Sequence, residues 1–447
     1  MQTKTTLLTL ADATKIVVPD DLRLLSNFVL REQDDWFEEE VGFVRSYIQP
    51  DMQAIDIGAN YGMYSLAIAK QLGPEGKLWC FEPTPDTAQA LRQSLDANAL
   101  SENAVVIEAG LSNESGSARF YINDNAEANS LHNQLLDGKE REITVSLKTL
   151  DECRQEYQWP DIDFMKLDAE GEEINILQGA KETLSHCSPL VMYELRHGKQ
   201  INGDLINAFK ALGYESYCLI PALNVLTPIG QHLPPDGYTL NLFACKQDRA
   251  DILLQQGQLV MPQQGTKIEA CDYPELATLG NKTSEDPSYQ ATLYAYLASR
   301  NDSLSNQARF DALLHAFYQI TKALEQGESR FERLSTYARI AYDMGQQQFG
   351  MQINDYMLQR FLAKGHTISD DEPFVAMSEA FETVDAQGKI EQWAKAMILD
   401  QYIRKHSHSC YFTREKALPL FNALKQSDFM LPEMEQRLAL LQALLAA

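Results

Sequence analysis

Short apolar runs separated by amphipathic stretches fill the chain from about residue 50 to residue 245, and beyond that the rhythm changes. Leu24, Leu25, Phe28, Phe37, Val41, Val44 and Ile48 recur at helical spacing, which predicts a helix from Asp20 to Gln49 ended by Pro50. QAIDI, KLWCF, AVVIEA, IDFMKLD and PLVMYEL then read as strands. Between them lie helices through Ala67–Gln71, Asp86–Asn98 and Glu172–Leu184, with another at Gly203–Leu212. This alternation predicts the α/β class with a doubly wound, mostly parallel sheet. SARFYI and REITVSL break the order, and their period-two pattern around the polar excursion Asn123–Asn133 predicts an antiparallel pair with a long loop. SYCLI and NLFAC predict a hairpin at the sheet edge.

After Asp248 the run QQGQLVMPQQG has the composition of a connector. From Pro287 onward every apolar stripe is helical, as in RFDALLHAFYQITKAL and MEQRLALLQALL. Leu334–Met357, with Ala338, Ala341 and a turn at Gly345, has the outline of a tetratricopeptide-like pair, but one match at no fixed period reads as a generic helical bundle. The expected organisation is an N-terminal helical segment at 1–50, an α/β domain at 51–248, a linker at 249–280 and an all-α domain at 281–447.

The most informative stretch is AIDIGANYGMYS, Ala54–Ser65, where an apolar strand turns into a helix through Gly58 and Gly62. Without a Cβ these residues take positive φ and let the backbone approach a ligand, while Asp56 closes the strand. The next strand ends in Glu82, whose carboxylate suits the two donor hydroxyls of a ribose. The turn reads GxNxG, with Asn60 where a dinucleotide fingerprint carries its middle glycine, so S-adenosylmethionine fits better than NAD.

Charge narrows the partners. A formal net charge of −25 argues against nucleic acid, which needs clustered Lys and Arg. The seven cysteines are scattered with no CxxC, as in a reduced compartment. The N-terminal stretch has no apolar signal core, and no segment approaches the ~18 apolar residues of a membrane span, so a cytoplasmic protein with no membrane partner is expected. HSHSC, His406–Cys410, has no second cluster of matching spacing and reads as a linker rather than a zinc site.

In an open α/β sheet, ligands sit outside the carboxyl ends of the strands. Those ends are polar here: Asp56, Glu82, Glu108-Ala109-Gly110, KLDAEG with Lys166, Asp168 and Glu170, and YELRHG with Glu194 and His197. DIGANYGMYSLAIA, FEPTPDTAQALRQSLDAN, IDFMKLDAEGEEINILQGA and VMYEL, in this order, resemble the FkbM family of S-adenosylmethionine-dependent methyltransferases, over about Trp36–Cys245. The resemblance implies a class I methyltransferase (Rossmann-like) sheet and O-methylation of a hydroxyl on a sugar, glycan or polyketide-type small molecule. The helical remainder lies outside it.

Carried over by motif, Asp56, Gly58, Ala59, Asn60 and Gly62 would hold the methionine end of the cofactor. Glu82 and Pro83 would face the ribose, Glu108, Ala109, Gly110 and Leu111 would lie beside the adenine, and Asp168 would border the cofactor. Methyl transfer to an alcohol also needs alignment and a proton acceptor. Asp168, Glu170 and Lys166 are candidates at one strand end, against a reading in which Lys166 only pairs with a carboxylate and Glu170 caps the next helix. His197, with its near-neutral titration, is the preferred general base. A divalent cation held by Asp168, Glu170 and Glu194 is the other route, though nothing in the spacing demands it. Two further readings stay open: a helical scaffold with a vestigial methyltransferase domain, and an NAD-dependent oxidoreductase.

Overall fold

The computed structural model describes residues 4–122, 141–197, 200–230, 233–263, 284–362, 368 and 372–446. These form two compact units, one from residues 1–218 and 239–255 and the other from 219–238 and 256–446.

The first unit opens with a hairpin, β1 (Thr5–Thr9) and β2 (Lys15–Pro19), followed by helices α1 (Leu25–Gln33) and α2 (Glu40–Tyr47). The single helix expected over Asp20–Gln49 is therefore two. Asp34 adopts a left-handed conformation with φ 55° and stops the first helix, and residues 34–39 cross to the second as a loop. The hairpin docks on a later helix, where Ser94 Oγ accepts from the Val17 amide at 2.9 Å.

Then come β3 (Gln53–Ile57), α3 (Met63–Ala69), β4 (Lys77–Phe81), α4 (Pro85–Ala97), β5 (Ala104–Ile107), β6 (Gly110–Leu111), β7 (Gly116–Ile122), β8 (Arg141–Lys148), α5 (Leu150–Tyr157) and β9 (Phe164–Leu167). They are followed by α6 (Glu173–Gln178), α7 (Lys181–His186), β10 (Leu190–Glu194), β11 (Arg196–His197), β12 (Gln200–Ile201), α8 (Gly203–Ala211), β13 (Glu215–Ile220), β14 (Val225–Pro228), β15 (Asn241–Cys245) and α9 (Gln247–Gln255). β14 belongs to the second unit.

The main sheet has the order β13-β15-β10-β9-β3-β4-β5, parallel except for β15, which runs antiparallel to both its neighbours. This is the class I methyltransferase arrangement expected, with the β13/β15 pair as the antiparallel edge element. Its central strands are apolar on both faces because helices cover both, and Ile55, Phe81, Phe164 and Met192 are buried. β7 and β8 pair antiparallel as expected; the loop Asn123–Asn133 lies outside the described residues.

The helix expected over Glu172–Leu184 is broken into α6 and α7. At Gly179 a Cβ would fall 2.3 Å from the Ser112 carbonyl oxygen, so this position makes a close backbone crossing. Asp151 then caps α7, accepting from the Thr183 amide at 2.7 Å. At the other end of the unit, helix α9 continues through residues expected to begin the linker. Leu253 is buried and Arg249 donates to the Ser188 carbonyl at 2.9 Å, which ties the helix to this unit. Most of the expected linker, 264–280, lies outside the described residues.

In the second unit Leu226 bridges Leu259, and the rest is helical, including α10 (Pro287–Ser299), α11 (Asn306–Glu325), α12 (Phe331–Asp343), α13 (Gln347–Leu362), α14 (Ile390–Lys405), α15 (Cys410–Thr413), α16 (Leu418–Lys425) and α17 (Pro432–Ala446). Arg333 is a buried tie-point, paired with Asp286, Glu328 and Glu372 at 2.7–3.0 Å. His406–Ser409 connect α14 to α15, with Ser409 capping the latter. No helix among the described residues is long and apolar enough to cross a membrane.

Candidate active site

Strand order reverses at β3: the chain goes first to β4 and β5, then returns to β9 on the other side. Such a switch point leaves a crevice at the carboxyl edge. A cleft of about 300 Å³ opens there, and its walls divide along the sheet. Over β4 and β5 lie Phe81, Glu82, Pro83, Thr87, Ala109, Gly110 and Leu111, with Phe120 and Val145 from β7 and β8. Over β9, β10 and β15 lie Lys166, Asp168, Glu170, Glu194 and Asn241, joined by Trp36, Phe37 and Glu38 from the loop ahead of α2. Gly58, Ala59 and Asn60 form the floor between the halves.

The turn after β3 is held by Phe81, whose carbonyl accepts from the amides of Gly58 and Ala59, both at 3.0 Å. Gly58 has φ 72°, and a Cβ there would lie 1.8 Å from the Asp168 carbonyl oxygen. Its glycine thus serves the crossing of two strand-end loops, rather than only the approach of a ligand. Gly62 starts α3 at φ 101°, does not line the cleft, and would place a Cβ 2.4 Å from Leu91.

Glu82 sits where the sequence puts it. Its carboxylate accepts from the Thr84 amide at 2.8 Å and the Asn60 amide at 3.0 Å, leaving lone pairs for further donors. Burial pushes its carboxyl up to about 7, against the lowering effect of those amides.

Besides Gly62, two expected cofactor residues lie outside the cleft lining. Asp56 is entirely buried and does not line the cleft: Ser65 Oγ donates to it at 2.6 Å, and burial raises its carboxyl against the pull of Lys166. Asp56 stands in register with Lys166 across β3 and β9; the long lysine side chain reaches the cleft lining and the short Asp56 carboxyl does not. Glu108 is exposed and ion-paired with Arg92, whereas Ala109, Gly110 and Leu111 do line the cleft.

On the other half, Lys166 Nζ donates to Asp168 Oδ2 at 2.8 Å and stands 5.2 Å from the centre of the Tyr64 ring. Burial works against its charge, but Asp168, Asp56 and Glu38 outweigh it and hold the ammonium above its ordinary range. Glu170 takes a left-handed φ of 50° in the cleft wall. It is Glu173, not Glu170, that ties down the loop, accepting from the amides of Ala169 at 3.0 Å and Gly171 at 3.1 Å. Burial, then the charges of Asp168, Glu170, Glu173 and Glu38, raise the Glu194 carboxyl well above the ordinary range, favouring the neutral acid. His197 lies in β11, paired with Gln200, and its side chain is outside the described residues. No set of three His, Cys, Asp or Glu among the described residues is placed to hold a metal ion.

Trp36, Glu38, Tyr64 and Asn241 were not anticipated. Glu38 accepts from Tyr64 Oη at 2.6 Å, from the Trp36 indole at 2.9 Å and from Asn241 Nδ2 at 2.9 Å. The signal available in the sequence was the pair Asp34-Asp35 ahead of Trp36-Phe37, a polar break inside the supposed helix.

Residues 56–216 match the family model described as the methyltransferase FkbM domain. Methyltransferase sdnD of Sordaria araneosa is 29% identical over 29% of this chain and 60% of its own length. The 2-O-methyltransferase NoeI of Sinorhizobium fredii is 30% identical over 31% of this chain and 60% of its own. The hexuronic acid methyltransferase AglP of Haloferax volcanii is 27% identical over 32% of this chain and 55% of its own. The chain therefore spans little more than half the length of the relatives it matches. The resemblance read from the glycine turn and strand ends holds over that stretch: residues 56–216 of this chain are similar to the methyltransferase FkbM domain.

Proposed function

We propose that this protein is an S-adenosylmethionine-dependent O-methyltransferase acting on a hydroxyl of a sugar, glycan or polyketide-type small molecule. The observation that carries the reading is the divided cleft at the switch point. Its β4/β5 half has the makings of a nucleoside site, with the Glu82 carboxylate able to accept from ribose hydroxyls and an apolar wall of Ala109, Gly110, Leu111, Phe120 and Val145 for a base. The backbone of Gly58, Ala59 and Asn60 would face the methionine end. When bound, the cofactor supplies an electrophilic methyl group on a sulfonium. The names of the relatives, a 2-O-methyltransferase and a hexuronic acid methyltransferase among them, support the hydroxyl-bearing acceptor.

On the β9/β10 half, Lys166 and Asp168 brace the wall, and Glu170 and Glu194 offer groups to an acceptor. Asp168, Glu170 and His197 follow strands that end at this crevice, and turnover by their variants tests each as a proton acceptor. Calorimetry with S-adenosylmethionine and with NAD tests the reading as a whole: binding of the first alone is expected, and binding of NAD alone would overturn it.

The cofactor site should also respond to pH. Glu82's carboxyl is raised from 4.5 to about 7, so its contribution to stability is fully present below 4.5 and lost as pH rises through about 7. A ribose donating to the ionised carboxylate reverses that preference, since binding then selects the charged form. Affinity for S-adenosylmethionine should therefore weaken by up to about tenfold per pH unit below 7 and level off above it. Glu82→Gln should bind weakly at every pH; a Glu82→Gln protein that keeps the wild-type slope would show that another group titrates.

A further inference from the structure

We infer that Glu38, which lies outside the family-matched residues, is the carboxylate that takes the proton from the acceptor hydroxyl. The inference rests on the methyltransferase reading above. Among the cleft carboxylates Glu38 is set apart by what holds it. Asp168 is neutralised by Lys166 at 2.8 Å. Glu82 is engaged by two backbone amides on the nucleoside half, and Glu172 accepts from Ser112 Oγ at 2.9 Å and Asn175 Nδ2 at 3.0 Å. For Glu194 every leading influence, burial first and then Asp168, Glu170, Glu173 and Glu38, favours the neutral acid, whereas at Glu38 the Tyr64 hydroxyl, the Lys166 charge and the Trp36 indole oppose burial. Glu170, the remaining carboxylate on this half, is separated by the turnover of its own variant.

Glu38 is gripped by three neutral donors, the Trp36 indole, the Tyr64 hydroxyl and the Asn241 carboxamide. Neutral donors fix the direction of a carboxylate without cancelling its charge, and they leave it lone pairs to receive an O–H. The loop that carries it is built to hold position: Arg45 grips Asp35 through two bonds of 2.6 and 2.8 Å, and Asp35 in turn accepts from the Trp36 amide at 2.8 Å. Glu38 lines the cleft and is tied to Asn241 of β15, on the half that also holds Lys166, Asp168 and Glu194.

The step balances as follows. The acceptor's O–H proton passes to a Glu38 oxygen as the acceptor oxygen bonds to the methyl carbon. The S–CH₃ bond breaks with its electron pair staying on sulfur, which leaves as a neutral thioether, and Glu38 later returns the proton to water. Burial raises the Glu38 carboxyl, the direction that makes a carboxylate a better base. The groups that set this balance are Glu40 on the next helix, Tyr64 from α3, Lys166 and Asp168 from β9 and its end, and Glu194 from β10.

The experiment measures transfer of an isotopically labelled methyl group from S-adenosylmethionine to acceptors in a cell extract, across pH, with wild type, Glu38→Gln and His197→Ala. Glu38→Gln should slow transfer by about 10²- to 10⁴-fold, abolish the rise of rate with pH, and leave calorimetric affinity for S-adenosylmethionine within about twofold of wild type. Wild type that transfers no label overturns the methyltransferase reading and this inference with it. Transfer by Glu38→Gln at the wild-type rate overturns the Glu38 assignment alone, as does a slow Glu38→Gln that keeps the pH-dependent rise, or a loss confined to His197→Ala. Should Glu38→Gln fail to fold, Glu38→Asp decides: slower transfer with the pH-dependent rise retained supports the assignment, and a flat profile overturns it.

Discussion

Replacing Gly58 with valine is expected to destroy cofactor binding and to destabilise the first unit by more than about 4 kcal/mol, a size that single substitutions reach only through a specific steric or electrostatic failure. Two causes act together. A residue with a Cβ held at φ 72° bears a left-handed penalty of about 1–2 kcal/mol, and branching at Cβ makes it worse. The larger cause is contact, because the new Cβ would lie 1.8 Å from the Asp168 carbonyl oxygen and backbone has to move. Displacing Asp168 also separates it from Lys166, so the damage spreads from the floor of the cleft to its β9/β10 half. Thermal melts and calorimetry with S-adenosylmethionine check this. An unchanged affinity in Gly58→Val would mean that the cofactor binds elsewhere.

Gly58 also shows how a tight turn read from sequence rests on an incomplete reason. A glycine at a strand-to-helix turn announces a tight backbone, but which partner approaches it depends on a segment 110 residues later. The parallel strands were legible because each buried run is short, apolar and β-rich, and the strand-end residues followed from one geometric rule about α/β sheets. Lys166 and Asp168, two apart on one strand, were legible as a pair for the same reason. Asp56 shares its face and level with Lys166, but only the longer lysine reaches the cleft, and the carboxyl is covered. Glu108 was misplaced because Arg92 on α4 draws it outward.

The β9/β10/β15 half of the cleft was the less legible one. Trp36, Phe37 and Glu38 fall in a stretch whose apolar spacing imitates a continuous helix, and only the left-handed Asp34 turns them into a loop that reaches the cleft. Asn241, the partner of Glu38, stands 203 residues away from it, on a strand inserted antiparallel between β10 and β13. Local pattern carries no information about such a pairing. The N-terminal hairpin, by contrast, was available in the two short β-branched runs TTLLT and KIVVP on either side of Asp12.

Lys166→Met should cost about 3–5 kcal/mol at neutral pH, the usual range when one member of a buried ion pair is removed. The ammonium is nearly inaccessible, with its side chain 7% exposed, and it serves more than Asp168. Asp56 faces it from β3 at 0% exposure, with Oδ1 lacking any hydrogen-bond partner, so the cation is what offsets that buried charge. Lys166's own raised value keeps it charged over the whole acid-to-neutral range, so the pH dependence of its removal is set by the acids it faces. Asp56, already raised by burial, moves up further once the cation is gone. A raised acid contributes stability that is present below its unfolded value, about 3.9, and lost as pH rises through its folded one. The deficit of Lys166→Met against wild type should therefore be small at acid pH and grow toward neutrality, as measured by urea melts at several pH values. Adding Asp56→Asn should recover part of it, with a coupling of about 0.5–3 kcal/mol in the double-mutant cycle. A deficit that is the same at every pH would assign the loss to packing of the lysine stem against Tyr64, and would remove the electrostatic account of the cleft's braced wall.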